Sequence, residues 1–155
     1  MTFIRVDLPE PDAPMIATNS PRSIVRLTPR SALTSIYYLL EGDDFSALHR
    51  LRSDEVWYFH AGAVLAIYAI DAAAALTVHR LGDASKAAGT TFSIAIPAGT
   101  WFGARLEGRD AWALAGCAVA PGFEFEDFEL AQRGVLIAAF PQHGPVIAAL
   151  TRGLT

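Results

Sequence analysis

The chain has 155 residues, 52% of them hydrophobic and 18% charged, with a formal net charge of −4 at pH 7. That length and apolar content suit one globular unit with a buried core. The scattered Lys and Arg offer no basic face to a phosphate backbone, so nucleic acid is not an expected partner.

In chain order, the first thirty residues hold five of the nine prolines. Proline removes backbone donors and disfavours helix and central strand, so residues 1–32 are expected to form an extended, proline-rich arm and residues 33–155 a single domain. No run reaches the roughly 18 to 20 apolar residues of a membrane span, and the start lacks a basic segment followed by an apolar one. The expectation is a cytoplasmic protein with no membrane partner.

From LTSIYYLL onward, short runs rich in Ile, Leu, Val, Tyr, Trp and Phe alternate with Gly, Asp and Ser, the pattern of an all-β protein. Strands are predicted at 33–40, 45–51, 55–60, 63–70, 75–80, 91–97, 101–106 and 111–119. Turn signals separate them at EGDD, RSD, HAG, LGD, PAG and EGRD, and such regular spacing points to a sandwich or barrel. The last strand carries the one cysteine, Cys117, within WALAGCAVA. A disulfide within the chain is therefore excluded, and the thiol reads as buried and inert. Beyond it, the carboxylates of EFEDFE (124–129) read as a solvated surface. GVLIAAFPQHGPVIAALTR predicts a short helical segment, broken at Pro141 or Pro145, that caps one barrel end.

Side chains alternate along a strand, so His49 and Leu51 share one face, and Glu55, Trp57 and Phe59 share a face of the next strand. If the RSD turn closes a hairpin, His49 and Glu55 meet in the lumen beside aromatic walls. His60 falls on the opposite face by parity, and Arg50 and Arg52 point away from His49.

These residues carry a resemblance. The stretch from His49 to Gly62 is similar to the first cupin motif, H-x-H-x(3 or 4)-E-x6-G, through His49, Glu55 and Gly62, with Leu51 in place of the second histidine. PAGTWF is similar to the second motif, P-x-G-x-x-H, through Pro97 and Gly99, with Phe102 in place of its histidine. SIYYLL, HRLRSDEVWYFHAG, IPAGTWFGARLEG, GCAVAPGFEFEDFELA and FPQHGPVIAALTR together resemble the cupin-5 (DUF985) group over roughly residues 33–152. Members usually begin with a helix and a Pro-Glu-Gly-Gly stretch, which residues 1–32 do not match.

The resemblance implies a double-stranded β-helix, or jelly-roll barrel, paired as a homodimer, in a family without an assigned activity. Leu51 and Phe102 replace two of the four usual metal ligands, which leaves too few donors for a mononuclear catalytic metal, and no metal or other cofactor is expected. Two readings remain. In one, the lumen binds a small organic molecule, sugar-like or planar, with His49 and Glu55 as polar contacts and Trp57, Phe59, Trp101 and Phe102 as walls. In the other, His49 is the general base and Glu55 its partner in a metal-independent sugar-nucleotide epimerase or isomerase. That chemistry asks for a tyrosine acid, which the sequence does not single out among Tyr37, Tyr38, Tyr58 and Tyr68.

Overall fold

A computed structural model describes residues 3–6, 30–108 and 111–152. Among these residues lie ten strands: β1 (Phe3–Val6), β2 (Thr34–Glu41), β3 (Phe45–Leu51), β4 (Asp54–Gly62), β5 (Leu65–Ile70), β6 (Leu76–Leu81), β7 (Ser93–Ile96), β8 (Trp101–Leu106), β9 (Trp112–Ala120) and β10 (Phe128–Leu130). Two helices follow, α1 (Arg133–Ala139) and α2 (Gly144–Ala149). The strands form two antiparallel five-stranded sheets, in the orders β1-β2-β9-β4-β7 and β10-β3-β8-β5-β6, the jelly roll that the resemblance implied and one form of the sandwich or barrel expected from the alternating pattern.

Within the proline-rich arm, Phe3–Val6 pairs antiparallel with β2 at the edge of the first sheet. Residues 1–2 and 7–29 of the expected arm lie outside the described residues. The hairpin expectation for β3 and β4 needs correction. β3 pairs with β8 and β10, whereas β4 pairs with β7 and β9. Arg52 and Ser53 therefore carry the chain from one sheet to the other, and the inner faces of β3 and β4 meet across the lumen rather than side by side.

Alternation sets which side chains enter the barrel. On β2 they are Thr34, Tyr38 and Leu40; on the central strand β9 they are Ala113, Ala115, Cys117 and Val119, all buried. One half of the barrel is packed solid with Leu40, Leu65, Ile67, Leu81, Ile94 and Leu106. The other half stays open, because β9 brings only small and medium side chains there.

Glycine is required where the strands approach closely. A Cβ on Gly62, whose φ is +97°, would lie 2.2 Å from the Trp112 carbonyl oxygen, and one on Gly103 would lie 2.7 Å from that of Ser46. Gly103 thereby admits the register shift between Ser46 and His49 in β3, an irregularity that re-aims side chains.

The helical segment is interrupted at Pro141, which opens a 3-10 turn over Pro141–His143, while Pro145 sits in the first turn of α2, where its missing N–H costs nothing. It does not cap a barrel end. Leu136, Ile147 and Leu150 pack on Leu48, Ile70 and Trp101, on the outer face of the second sheet, and the Leu150 carbonyl accepts a hydrogen bond from the Leu48 N–H at 2.8 Å.

Candidate functional site

The open half of the barrel encloses a cavity of about 490 Å³, within the range typical of small-molecule sites. Its floor is built where the two sheets face each other. His49 comes from β3 and Glu55 from β4, and His49 Nε2 lies 3.9 Å from Glu55 Oε2. The Ala47 carbonyl takes the His49 Nδ1–H at 2.8 Å, because a carbonyl can only accept. In the neutral ring Nε2 is then a lone-pair acceptor turned to the carboxylate. The imidazole is held between Phe102 and Phe128, whose ring centres lie 4.2 and 5.2 Å away.

Around this pair stand three groups that the motifs did not single out. Tyr38, from β2, hydrogen-bonds Ser46, and burial pushes its phenol up to about 12. Cys117, from β9, faces the same cavity. Burial first, then the charge of Glu55 and a hydrogen bond to it, raise its thiol well above the ordinary value. Parity on β2 and β9 was enough to find both: Tyr38 shares a face with Thr34 and Ile36, and Cys117 with Val119. Ser46 was hidden by the β3 irregularity, which no residue type announces.

Trp57 lines the cavity and is 1% exposed. Its ring centre is 5.3 Å from that of Tyr38. Among the described residues its Nε1–H has no hydrogen-bond acceptor, an orphaned donor of the kind that costs about 1–3 kcal/mol unless a water or ligand satisfies it.

The other expected walls lie elsewhere. Trp101 and Phe102 are consecutive on β8, so only one of them can face inward. Phe102 does, but it is buried in the core behind His49 and does not reach the cavity surface. Trp101 faces outward beneath the helices, with the Arg50 guanidinium 4.6 Å above its ring. Phe59 packs on the solid half of the core. His60 is on the outer face, as parity predicted, with its ring centre 5.4 Å from that of Tyr37.

The mouth is formed by the segment read as a charge run. Phe123, Phe125, Phe128 and Leu130 line the cavity, while the carboxylates between them turn outward: Glu129 pairs with Arg50, and Asp127 with Arg30 and Arg52. Alternation holds within 123–125 and within 128–130, and the 3-10 turn over Phe125–Asp127 resets it between them, so that all four apolar side chains reach the cavity. Arg152 completes the rim, its guanidinium 5.4 Å from the Phe45 ring centre.

The metal implied by the fold does not fit these residues. At the four positions of the motif stand His49, Leu51, Glu55 and Phe102, two donors and two hydrocarbons, where a mononuclear site asks for three or more protein ligands. Among the described residues no three of His, Cys, Asp and Glu converge as a metal-holding group.

A family model described as Cupin superfamily (DUF985) matches residues 11–131. The match enters the proline-rich stretch that the motif comparison left out, and it ends before the helices. A structure from Shewanella oneidensis is 42% identical, with a TM-score of 0.76 over 87% of this chain and 85% of that one. A protein of Leishmania major is 31% identical, with a TM-score of 0.73 over 80% of this chain and 78% of its own. A cupin 2 domain-containing protein of Halorhodospira halophila is 14% identical, with a TM-score of 0.58 over 80% and 74%, a likeness of fold alone. No curated protein matches the chain.

Proposed function

The chain belongs to the Cupin_5 (DUF985) family of the cupin superfamily, and from that premise we propose that it is a small-molecule-binding barrel. Its ligand occupies the lumen, with His49 and Glu55 as polar contacts and Trp57 as an apolar wall. The observation that carries this reading is the cavity of about 490 Å³, apolar and aromatic on its sides, with a few polar groups converging on its floor. That composition is the usual form of an organic-ligand site. No step of the reading calls on a metal.

The test is a ligand-observed NMR screen of organic fragments against the wild type and the His49→Leu/Glu55→Leu double variant. Fragments that bind the first and not the second support the reading. Binding that is indifferent to the substitutions removes it.

A second reading is favoured by Tyr38, which faces the same lumen as His49. In an epimerase or isomerase acting on a sugar nucleotide, His49 Nε2 takes a proton from the carbon next to a carbonyl, Glu55 stabilises the imidazolium, and Tyr38 returns a proton. Reaction in deuterated water separates the two. Deuterium entering the carbon skeleton, and no longer entering it in His49→Ala, supports catalysis.

We also propose a homodimer in the cytoplasm. Tyr37, Leu39, Val56, Tyr58, Leu114 and Ala118, with His60 packed among them, make a strip without Asp, Glu, Lys or Arg across the outer face of the first sheet, with Tyr37 48% and Tyr58 44% exposed. Such a face suits a self-complementary pair. Sedimentation of the wild type against Tyr37→Glu/Tyr58→Glu tests it, a monomeric wild type being the contrary result.

A further inference from the structure

The cavity has a chemical polarity that narrows its ligand. Around His49 and Glu55 the positions open to a ligand are acceptors, and the unpaired donor on the cavity among the described residues is Trp57 Nε1–H on the wall. Glu55 presents its carboxyl oxygens, and His49 in its neutral form presents the Nε2 lone pair, because its Nδ1–H is taken by the Ala47 carbonyl at 2.8 Å. The 3.9 Å between Nε2 and Oε2 is too long for a direct hydrogen bond, so a third group can bridge them, beside the Cys117 thiol that also hydrogen-bonds Glu55. The nearby hydroxyls of Tyr38 and Ser46 are engaged with each other.

At the rim the sign reverses. Arg152 lines the mouth, and among the described residues no carboxylate lies within 4.0 Å of its guanidinium. The other arginines around the mouth, Arg30, Arg50 and Arg52, are paired with Asp127 or Glu129. Between floor and rim the walls are Ile36, Trp57, Val119, Phe123 and Phe128.

We propose that the lumen takes an apolar-bodied small molecule that enters with a hydrogen-bond-donating head, an amino or hydroxyl group, between His49 Nε2 and Glu55 and leaves an anionic group at the rim on Arg152. The inference rests on the lumen-binding reading and adds the ligand's class and orientation. A donor head satisfies two buried acceptors at once. An anion at the rim makes a charge-assisted contact with the one rim guanidinium that lacks a carboxylate partner among the described residues.

Three matched probes test it: 3-(4-aminophenyl)propionate carries both groups, 3-phenylpropionate lacks the head, and 3-(4-aminophenyl)propionamide lacks the charge. Affinities are measured by NMR titration. The expected result is that the complete probe binds about tenfold more tightly than either of the others, roughly one such contact each. Arg152→Gln, on the exposed rim, lowers the acid to the level of the amide and keeps the preference for the amino head. Glu55→Gln weakens that preference and keeps the preference for the acid. Equal binding of all three probes to the wild type, or an acid preference that survives Arg152→Gln, overturns the polarity and leaves lumen binding standing. Binding of none of them, with no organic mass released from the purified protein, overturns both.

Discussion

His49 Nε2 faces Glu55 Oε2 across 3.9 Å, the histidine from one sheet and the glutamate from the other, with their side chains 12% and 8% exposed. Only Arg52 and Ser53 separate the two strands that carry them. A crossing this short fixes the two faces opposite each other, so the polar pair sits where the barrel is open rather than where it is packed. The same lumen face of β4 carries Trp57 two residues on, so the floor and an apolar wall come from one strand.

Stability should fall as the solution becomes alkaline. Cys117 and Tyr38 both titrate higher in the folded chain than in the unfolded one, Tyr38 rising from 10.0 to about 12 and Cys117 from 9.0 to well above it. The folded state therefore binds more protons, and stability present below about pH 9 is lost as the unfolded chain ionises, by at most about 1.4 kcal/mol per pH unit for each group. Urea unfolding from pH 8 to 10.5 should show that slope, reduced near pH 9 in Cys117→Ala and near pH 10 in Tyr38→Phe. A flat profile would contradict the placement of both groups.

Gly62 and Gly42 both have positive φ, +97° and +58°, but only the first is also crowded, by the Trp112 backbone. Gly42→Ala should cost about 1 kcal/mol, the conformational term alone. Gly62→Ala should cost about 3 kcal/mol or more, strain and clash together, as urea midpoints of the two variants would show.

Trp101 and Trp57 should part company when mutated. Trp101→Ala removes a side chain buried beneath the helices, with an expected loss of about 3–5 kcal/mol. The milder Trp101→Phe should leave probe affinities unchanged. Trp57→Phe keeps an apolar wall but narrows it, and should shift those affinities while the unfolding midpoint moves less.

The mouth can be altered at little cost to the fold. Phe125 lines the cavity yet is 78% exposed, so Phe125→Ser should change stability by no more than about 0.5 kcal/mol. Binding of 1-anilinonaphthalene-8-sulfonate, an apolar anion read by its fluorescence, should weaken several-fold. The Arg50–Glu129 pair across the same segment is half exposed, and a double-mutant cycle should find about 0.2–1 kcal/mol.

Much of this molecule was legible from alternation alone. The strands from β2 to β9 fall within a residue or two of the predicted runs, because each is bounded by Gly, Asp or Pro and each carries a buried face. The pairing was not legible: β3 and β4 look like a hairpin in sequence, and only the long-range ladders to β8 and β9 separate them. The ligand walls were misjudged where parity was not carried through, as with Trp101 and Phe102 side by side on β8. The two general cupin motifs gave no place to Tyr38, Cys117 or Arg152, because they cover β3, β4 and β8, while these three come from β2, β9 and the tail after α2, within stretches that resemble the family but mark no residue of it. EFEDFE showed its charges more plainly than its phenylalanines.

The most direct test of lumen binding is native mass spectrometry of the freshly purified protein, compared with the His49→Leu/Glu55→Leu variant and followed by denaturation. The account predicts a stoichiometric organic mass on the wild type, released on unfolding and missing from the variant. A bare wild type that also acquires no mass from any fragment of the NMR screen would contradict it.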